Sequence, residues 1–337
     1  MAKGKSKPVI GIDLGGTNMQ IGAVTADFKI AGRSKKKTRA TEGLAKVIER
    51  ICDGVQEACG EAGIKVKDCG ALGIGAPGAI EPHNGVVLMA PNLRWTDVPL
   101  AAILRKKLGI PVVVDNDVNV AVLGEHRLGA GKGVSDMMGL WLGTGVGGGF
   151  IFNGQLYYGA NFTAGEVGHT MLFPHNPPGS RKVEDNCSRT AVVDRILRLI
   201  RNNKSIIPEL ADNNLAEVRA KTVSMAYARK DKVTVDVINN VAELLGIVCA
   251  TYVTALSLPM VVLGGGLAEA MGEALAKPVR EHTRRLVFPE SLRNVQIVCT
   301  RLEADAGLLG AAIMAHELLD GTAAASKKAS AAKSGKK

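Results

Sequence analysis

Aromatic residues and paired cysteines are both scarce in this sequence. Aromatic side chains make up 4% of the 337 residues, and the six cysteines are scattered without a C-x-x-C pair. Such spacing argues against a zinc site built from cysteines alone. It predicts free thiols that pack as small apolar side chains in a reducing compartment.

Long apolar runs are also lacking. No stretch reads as long and pure enough to cross a bilayer, and the basic start MAKGKSKP is not followed by the apolar segment of a secretion signal. These absences predict a cytoplasmic protein without a membrane partner.

Two common nucleotide-binding motifs are missing as well. Around Gly131-Lys132, a Walker loop would need glycine in place of His126 and serine or threonine in place of Gly133. No G-x-G-x-x-G segment joins the first strand to a helix, so a dinucleotide-binding fold is not indicated either.

The formal charge of +10 is concentrated at the two ends of the chain. Residues 1–8 and 321–337 hold eight lysines and no acid, which leaves the body between them close to neutral. We expect disordered, solubilising ends, with a weak tether to a polyanion as the alternative. No specific nucleic-acid partner is predicted.

The chain is longer than one hydrophobic core usually serves, so two lobes are expected, over residues 9–118 and 119–304. Short apolar strands alternate with helical segments in both, which indicates α/β sheets with ligand loops at the strand ends. Each lobe begins with a strand and a glycine–threonine loop, which hints at a duplicated architecture. The expected strands are Val9–Asp13, Met19–Val24, Ala71–Gly75, Val112–Val114, Met138–Leu142, Phe150–Phe152, Met260–Leu263 and Gln296–Cys299.

Three glycine-rich stretches are candidates for binding phosphate, because glycine lets backbone amides point into one concavity. In the first stretch, Asp13 supplies a carboxylate for a metal-bound water. In the third, the backbone lies flat enough to face a base or ribose. The candidate nucleotide-binding residues are Asp13, Gly15, Gly16, Thr17 and Asn18; Thr144, Gly145 and Gly147; and Gly264, Gly265 and Gly266.

The run Val112–Asp117 places polar groups at the end of a buried strand. Phosphoryl transfer to an alcohol needs a carboxylate that accepts the hydroxyl proton, and Asp117 is the candidate, with Asn116 beside it to fix a neighbouring hydroxyl. A purely structural alternative is that this cluster caps the following helix. Asn92, Glu166 and His169 offer further donors and acceptors suited to a sugar.

Taken together, the motifs resemble the ROK family of bacterial sugar kinases and sugar-responsive repressors, over about residues 9–319. The motifs that carry the resemblance are Asp13–Asn18, Gly75–Gly78, Pro91–Leu93, Asp115–Asp117, Gly143–Gly149, Gly165–His169 and Gly264–Gly266.

The resemblance implies an actin-like ATPase (ribonuclease H-like) fold, with the C-terminal helix 305–320 completing the first lobe and the sugar held in a cleft between the lobes. It implies Asp117 as the base, ATP with Mg²⁺ across the glycine loops, and a homodimer. The sugar ligands that it implies are Gly78, Asn92, Asn116, Asp117, Glu166 and His169.

The sequence departs from the family where members carry C-x-C-G-x-x-G-C-x-E. Only Cys187 remains of the three cysteines, Ser180 and Lys182 stand at the other two positions, and Arg189 replaces the glutamate. We therefore expect no zinc. Arg189 either enters the sugar site, which would alter the preferred sugar, or faces solvent.

The predicted function is transfer of phosphate from ATP to a hexose, with glucose first. A polyphosphate donor, with a basic track including Lys132, Arg181 and Lys182, and a different hexose or amino sugar remain alternatives. A sugar-sensing regulator is a second class, although only twelve residues precede Asp13, fewer than a DNA-binding domain needs. An ATPase without a sugar substrate is a third class.

Overall fold

The computed structural model describes residues 7–334, with side chains described as far as Gly321. The chain divides into two compact units: unit 1 comprises Met1–Gly124, Gly159–Thr163 and Asp305–Lys337, and unit 2 comprises Glu125–Tyr158 and Ala164–Ala304. Disordered ends were expected at residues 1–8 and 321–337; residues 1–6 and 335–337 lie outside the described part of the chain, whereas residues 321–334 belong to a helix.

The strands agree well with the apolar runs in the sequence, and all eight expected strands are confirmed. In chain order they are β1 (Val9–Leu14), β2 (Asn18–Val24), β3 (Ile30–Lys37), β4 (Leu72–Ala76), β5 (Ala79–Glu81), β6 (Val86–Ala90), β7 (Trp95–Val98), β8 (Val112–Asn116), β9 (Met137–Leu142), β10 (Val146–Phe152), β11 (Gln155–Tyr157), β12 (Met260–Gly264) and β13 (Gln296–Cys299).

The helices lie mainly in unit 2. In chain order they are α1 (Leu44–Glu61), α2 (Leu100–Leu108), α3 (Asp117–Arg127), α4 (Val183–Cys187), α5 (Arg189–Leu199), α6 (Ile207–Leu210), α7 (Ala220–Ala228), α8 (Lys232–Leu256), α9 (Gly265–Met271), α10 (Glu273–Leu286) and α11 (Ala306–Ser334).

The two large sheets have the same strand order. The sheet of unit 1 runs β3-β2-β1-β4-β8, and the sheet of unit 2 runs β11-β10-β9-β12-β13. In each sheet three consecutive strands form an antiparallel meander. The next strand pairs in parallel with the first strand of the meander, and the last strand pairs in parallel with that one. The hint of a duplicated architecture is therefore confirmed at the level of sheet topology.

Helix α11 covers the sheet of unit 1 at backbone contact. A β-carbon on Gly73 of β4 would lie 1.9 Å from the carbonyl oxygen of Ala311, and one on Gly11 of β1 would lie 2.2 Å from that of Leu308. Glycine is required at both positions because any side chain would force the helix off the sheet. The helix runs on to Ser334 rather than ending near Leu319 as expected, since the added segment is rich in alanine, the strongest helix former.

Helix α8 forms the centre of unit 2. Its 25 residues have a mean hydropathy of 1.6 over the most apolar stretch, so the expectation that no segment has the length and composition of a membrane span was wrong. However, 67% of that stretch is buried inside the unit. Val237, Val241, Leu245 and Val248 lie in the core, which is the pattern of a central helix in a folded unit.

The glycine-rich segment 143–149 is only partly a loop. Residues from Val146 onward belong to β10 and pair with β9, so the turn itself is confined to Gly143, Thr144 and Gly145. Similarly, Gly264 ends β12, while Gly265 and Gly266 open α9.

Candidate active site

The first glycine turn joins β1 to β2 in unit 1. The amide of Gly15 donates to the carbonyl of Asn18 at 3.0 Å, so it is used inside the turn. The buried Thr38 holds the turn from the end of β3: its hydroxyl donates to the carbonyl of Gly15 at 2.6 Å, and its amide donates to that of Thr17 at 2.8 Å. Thr17 and Asn18 are exposed at the tip. This leaves the tip open to an anion, and sequence reasoning missed Thr38 because it lies outside any motif.

Asp13 lies at the end of β1, directly before this turn. A β-carbon on Gly307, in the first turn of α11, would lie 2.8 Å from Cγ of the Asp13 carboxyl group. The carboxylate is therefore confined by the start of α11, and the missing side chain of Gly307 supplies the space that it needs.

Asn92 packs against the same turn. It is exposed in the short 3₁₀ helix Pro91–Leu93 that follows β6, and a β-carbon on Gly16 would lie 3.2 Å from its Cβ atom. One expected sugar ligand and one expected phosphate turn are thus neighbours within unit 1.

Asn116 and Gly78 are linked at the ends of two neighbouring parallel strands, β8 and β4. The side-chain amide of Asn116 donates to the carbonyl of Gly78 at 3.0 Å, and its Oδ1 atom accepts the amides of Val118 at 2.9 Å and Asn119 at 3.1 Å. Asn116 therefore caps α3, as the structural alternative held, and it retains one N–H for a ligand.

Asp117 is the first residue of α3 and is half-buried. Gly75 permits this position, because a β-carbon there would lie 3.2 Å from Cα of Asp117 and 2.3 Å from Cγ2 of Val120. The preceding acid, Asp115, is buried and accepts the amide of Asn116 at 2.6 Å. Of the two acids in the motif, Asp117 is the more accessible.

The second glycine turn joins β9 to β10 in unit 2, at the same topological position as the first. The amide of Gly143 donates to the carbonyl of Gly145 at 2.9 Å, and Thr144 is exposed at the tip. Glu184 of α4 anchors the turn by accepting the amide of Val146 at 2.9 Å. Gly147 lies beyond the turn, inside β10, and faces Trp141 in the pairing register.

Arg189, the first residue of α5, adds a positive charge to this turn. Its amide donates to the carbonyl of Gly143 at 2.9 Å, and its Nη2 atom donates to the hydroxyl of Thr144 at 3.2 Å. Its Cδ atom would lie 3.7 Å from a β-carbon on Gly266. Arg189 therefore lies beside the second and third glycine stretches and is partly exposed.

The third glycine stretch is held tightly against the neighbouring strand. A β-carbon on Gly264 would lie 2.4 Å from the indole ring of Trp141, and Gly265 has a φ of 79° with its β-carbon position 2.8 Å from the amide of Leu142. Only glycine fits both positions. Gly266, in contrast, has no neighbour closer than Arg189 among the contacts of the described residues.

Glu166 and His169 lie together on an exposed segment of unit 2. Their side chains are 48% and 55% exposed, and Nε2 of His169 is 3.7 Å from Oε2 of Glu166. The ammonium group of Lys182 donates to Nδ1 of His169 at 3.3 Å, which places the ring proton on Nε2, toward the carboxylate. This pair can both donate and accept hydrogen bonds, as a sugar hydroxyl requires.

The residues of the family zinc segment do not fit a zinc ion here. The six cysteines are free thiols, and Cys187 is fully buried in the core of unit 2, where burial raises the pKa of its thiol to about 12. Lys182, at the position of a family cysteine, directs a cation at His169. Within residues 7–334, no group of three or more His, Cys, Asp or Glu side chains is placed to hold a metal ion.

A cavity of about 580 Å³ opens beside Thr144 in unit 2. It runs along α5, and its charged lining is mixed. The acids are Glu184, Asp185 and Asp194, and the bases are Arg198 and Arg201.

Comparisons with known proteins identify the family. The ROK family profile matches residues 9–318. A glucokinase of Thermotoga maritima is 33% identical over 320 residues, covering 93% of this chain and 98% of its own. A glucokinase of Halalkalibacterium halodurans is 31% identical over 311 residues, covering 89% and 92%.

A solved structure is similar over nearly the whole chain. It is a ROK family glucokinase from Streptomyces griseus in complex with glucose and AMPPNP, with a TM-score of 0.82 and 31% identity, covering 92% of this chain and 99% of that one. The expectations of an actin-like ATPase (ribonuclease H-like) fold and of a sugar kinase are both confirmed. The chain therefore belongs to the ROK family.

Proposed function

We propose that the chain phosphorylates a hexose hydroxyl with ATP, and that glucose is converted to glucose 6-phosphate. The observation that carries this proposal is the repeated glycine turn, present at the same position of both sheets, together with a half-buried carboxylate at the end of β8. Backbone amides of such turns bind phosphate oxygens, and an accessible carboxylate can accept the proton of an alcohol acceptor.

The proposed chemistry is a single in-line transfer. The 6-hydroxyl oxygen forms a bond to the terminal phosphorus of ATP while the bond from that phosphorus to the bridging oxygen of ADP breaks. The hydroxyl proton passes to the Asp117 carboxylate, and the electron pair of the broken bond leaves on ADP. Bound with the nucleotide substrate, Mg²⁺ would neutralise phosphate charge, and the Asp13 carboxylate would hold its water shell.

The proposed sugar contacts fall into two groups. In unit 1, Gly78, Asn92 and Asn116 offer backbone and amide groups, and Asn116 keeps one N–H available after its internal hydrogen bonds. In unit 2, Glu166 and His169 offer a carboxylate and an imidazole on one exposed segment. The glucokinase relatives support glucose as the preferred hexose.

ATP is proposed as the donor rather than polyphosphate. The cavity beside Thr144 is lined by three carboxylates as well as two arginines, so it does not form the continuous basic track that a long anionic polymer needs. The glucokinase bound to AMPPNP supports the same choice.

We further propose that the protein acts as a homodimer in the cytoplasm. Support comes from an apolar surface at the ends of α8 and α10, where Leu286 is 54% and Phe288 75% exposed. The amide of Phe288 donates to the hydroxyl of Thr254 at 3.3 Å, so this residue lies beside the last turns of α8.

A coupled assay of ADP release tests the proposal across a panel of hexoses and amino sugars, each with ATP and with polyphosphate. We expect the highest kcat/KM for glucose with ATP. Fast ATP hydrolysis without sugar would favour the simple ATPase, and binding to duplex DNA at physiological salt without phosphorylation would favour the regulator.

A further inference from the structure

Arg189 is tied to the second glycine turn by both its backbone and its side chain. The amide donates to the carbonyl of Gly143 at 2.9 Å, and the guanidinium donates to the hydroxyl of Thr144 at 3.2 Å. Ser188, which caps α5 by accepting the amide of Ala191 at 3.1 Å, fixes the turn of chain just before it. The start of α5 and the hydroxyl of Thr144 together position the guanidinium.

The same guanidinium lies next to the third glycine stretch. Its Nη1 atom would lie 3.9 Å from a β-carbon on Gly266, and its Cδ atom 3.7 Å. The turn after β9 and the start of α9 therefore both lie beside one planar cation. Arginine binds phosphate oxygens in pairs through parallel N–H groups. A guanidinium beside these two segments therefore suits the linked phosphates of a nucleotide better than it suits a neutral hydroxyl.

The charge of Arg189 is not balanced within its unit. In the described part of the chain, no carboxylate forms an ion pair with it, and the nearby Glu184 carboxylate accepts the amide of Val146 on the turn. A cation in the first turn of a helix is also opposed by the helix dipole, which favours negative charge there. An anion bound at this point would pair with the charge of Arg189 and offset its unfavourable interaction with the helix dipole.

We propose that Arg189 binds the terminal phosphates of the nucleotide donor and stabilises the charge that develops on the leaving ADP. The inference rests on the proposed kinase function and names the residue that selects a triphosphate at that site.

The first test is steady-state kinetics of three variants: Arg189→Ala, Arg189→Lys and Arg189→Glu. For Arg189→Ala we expect kcat/KM for ATP to fall by about 10²–10³, the range for loss of a charged phosphate contact, with KM for glucose changed less than about twofold. Arg189→Lys should recover part of the activity. Arg189→Glu should be the slowest, because its carboxylate repels phosphate.

The matched control is Arg195→Ala. Arg195 lies on the same helix and is similarly half-buried, but its guanidinium donates to the amide oxygen of Asn240 at 2.7 Å, away from the glycine turns. It should keep wild-type kinetics. Thermal unfolding of each variant separates lost binding from lost folding, and Arg189→Glu should unfold no earlier than the wild type, because an acid suits a helix start.

The second test is binding of AMP and of AMPPNP by calorimetry, without sugar. The wild type should prefer AMPPNP, and Arg189→Ala should lose about tenfold or more of that preference while AMP binding stays the same. An equal loss for both nucleotides, or a change in KM for glucose alone, would overturn the inference. If the wild type phosphorylates no sugar but the preference still falls, the kinase proposal fails and the phosphate contact stands.

Discussion

The side-chain amide of Asn116 holds the carbonyl of Gly78 at 3.0 Å while its oxygen caps α3. One residue thus links the loop after β4 to the helix that starts with Asp117. The amide nitrogen and oxygen have different roles, so a substitution that changes only the nitrogen tests the link to Gly78 without removing the helix cap.

Asn116→Asp should keep the helix cap but lose the donor to Gly78. Aspartate caps helices as well as asparagine does, whereas its carboxylate would repel the Gly78 carbonyl. We expect the melting temperature to change little. The fall in kcat/KM for glucose should correspond to a loss of about 1–3 kcal/mol of transition-state stabilisation. Coupled kinetics and thermal unfolding measure both, with the exposed Asn202→Asp as control. Unchanged kcat/KM would mean that the link is dispensable.

Asp117→Asn should retain sugar binding and lose turnover. The amide is nearly the same size but cannot accept the hydroxyl proton, and a positioned base contributes about 10²–10⁴ in rate. Calorimetry measures whether glucose binding is retained, and kcat measures the loss of turnover. Asp53→Asn, an exposed acid on α1, is the matched control. A kcat within twofold of the wild type would assign Asp117 another role.

Gly16→Ala should disturb Asn92. A β-carbon at position 16 would lie 3.2 Å from Cβ of Asn92, so the neighbouring side chain has to shift by a few tenths of an ångström. A shift of that size in a substrate-positioning group should lower kcat/KM roughly tenfold. Gly60→Ala is the control, because its β-carbon meets no atom within 4 Å and the substitution favours helix α1. Full activity of Gly16→Ala would show that Asn92 adapts without cost.

Glu125→Gln should destabilise unit 2. The carboxylate of Glu125 is fully buried and accepts the amides of Ala130 at 2.7 Å and Leu302 at 2.7 Å, and the hydroxyl of Thr300 at 2.5 Å. In the variant, the side-chain NH₂ group would face N–H or O–H donors that the carboxylate now accepts. This should lower the free energy of unfolding by about 1–3 kcal/mol. Urea unfolding should show this loss, with the exposed Glu281→Gln as control. Equal stability would contradict the assigned role.

His316 should make the protein less stable in mild acid. Its ring packs edge-on against Phe28, and burial lowers its pKa from 6.5 more than a hydrogen bond with the backbone of Thr25 and the charge of Asp320 raise it. The folded state therefore binds fewer protons than the unfolded state, so stability is present above pH 6.5 and is lost as the pH falls through the lowered pKa.

His316→Gln should reduce the dependence of the free energy of unfolding on pH in mild acid. The free energy of unfolding, measured from pH 7.5 to about pH 5, should fall less for the variant than for the wild type. His175→Gln, an exposed histidine in unit 2, should keep the wild-type slope. Parallel profiles for all three proteins would refute the assignment to His316.

The strands that sequence reasoning found are those whose inward positions are apolar. In β1 and β4, Ile10, Ile12, Leu72 and Ile74 are all buried, and such parallel strands form continuous apolar runs. Strand β3 was missed because its inward positions are Gly32 and Ser34, and three consecutive lysines follow. Gly32 is small because a β-carbon there would lie 2.2 Å from the carbonyl oxygen of Ala58 in α1.

The glycine turns and the Asp115–Asp117 cluster were also recognisable, since their residue types are dictated by backbone geometry and ligand chemistry. The position of Arg189 was not. The direction of its long side chain depends on the hydroxyl of Thr144 and on the space beside Gly266, which no spacing in the sequence indicates. Thr38 is similar: it lies 23 residues from Gly15, whose carbonyl it holds, and no local pattern connects the two.

The contact between Gly73 and Ala311 has a consequence for how the protein is made. Unit 1 begins near the start of the chain, yet the helix that covers its sheet is translated only after all of unit 2. During synthesis the apolar face of β1 and β4 stays uncovered while nearly two hundred further residues are translated. At ordinary elongation rates this takes roughly ten to forty seconds. Nascent chains paused before α11 should therefore be the form of this protein that most needs a chaperone.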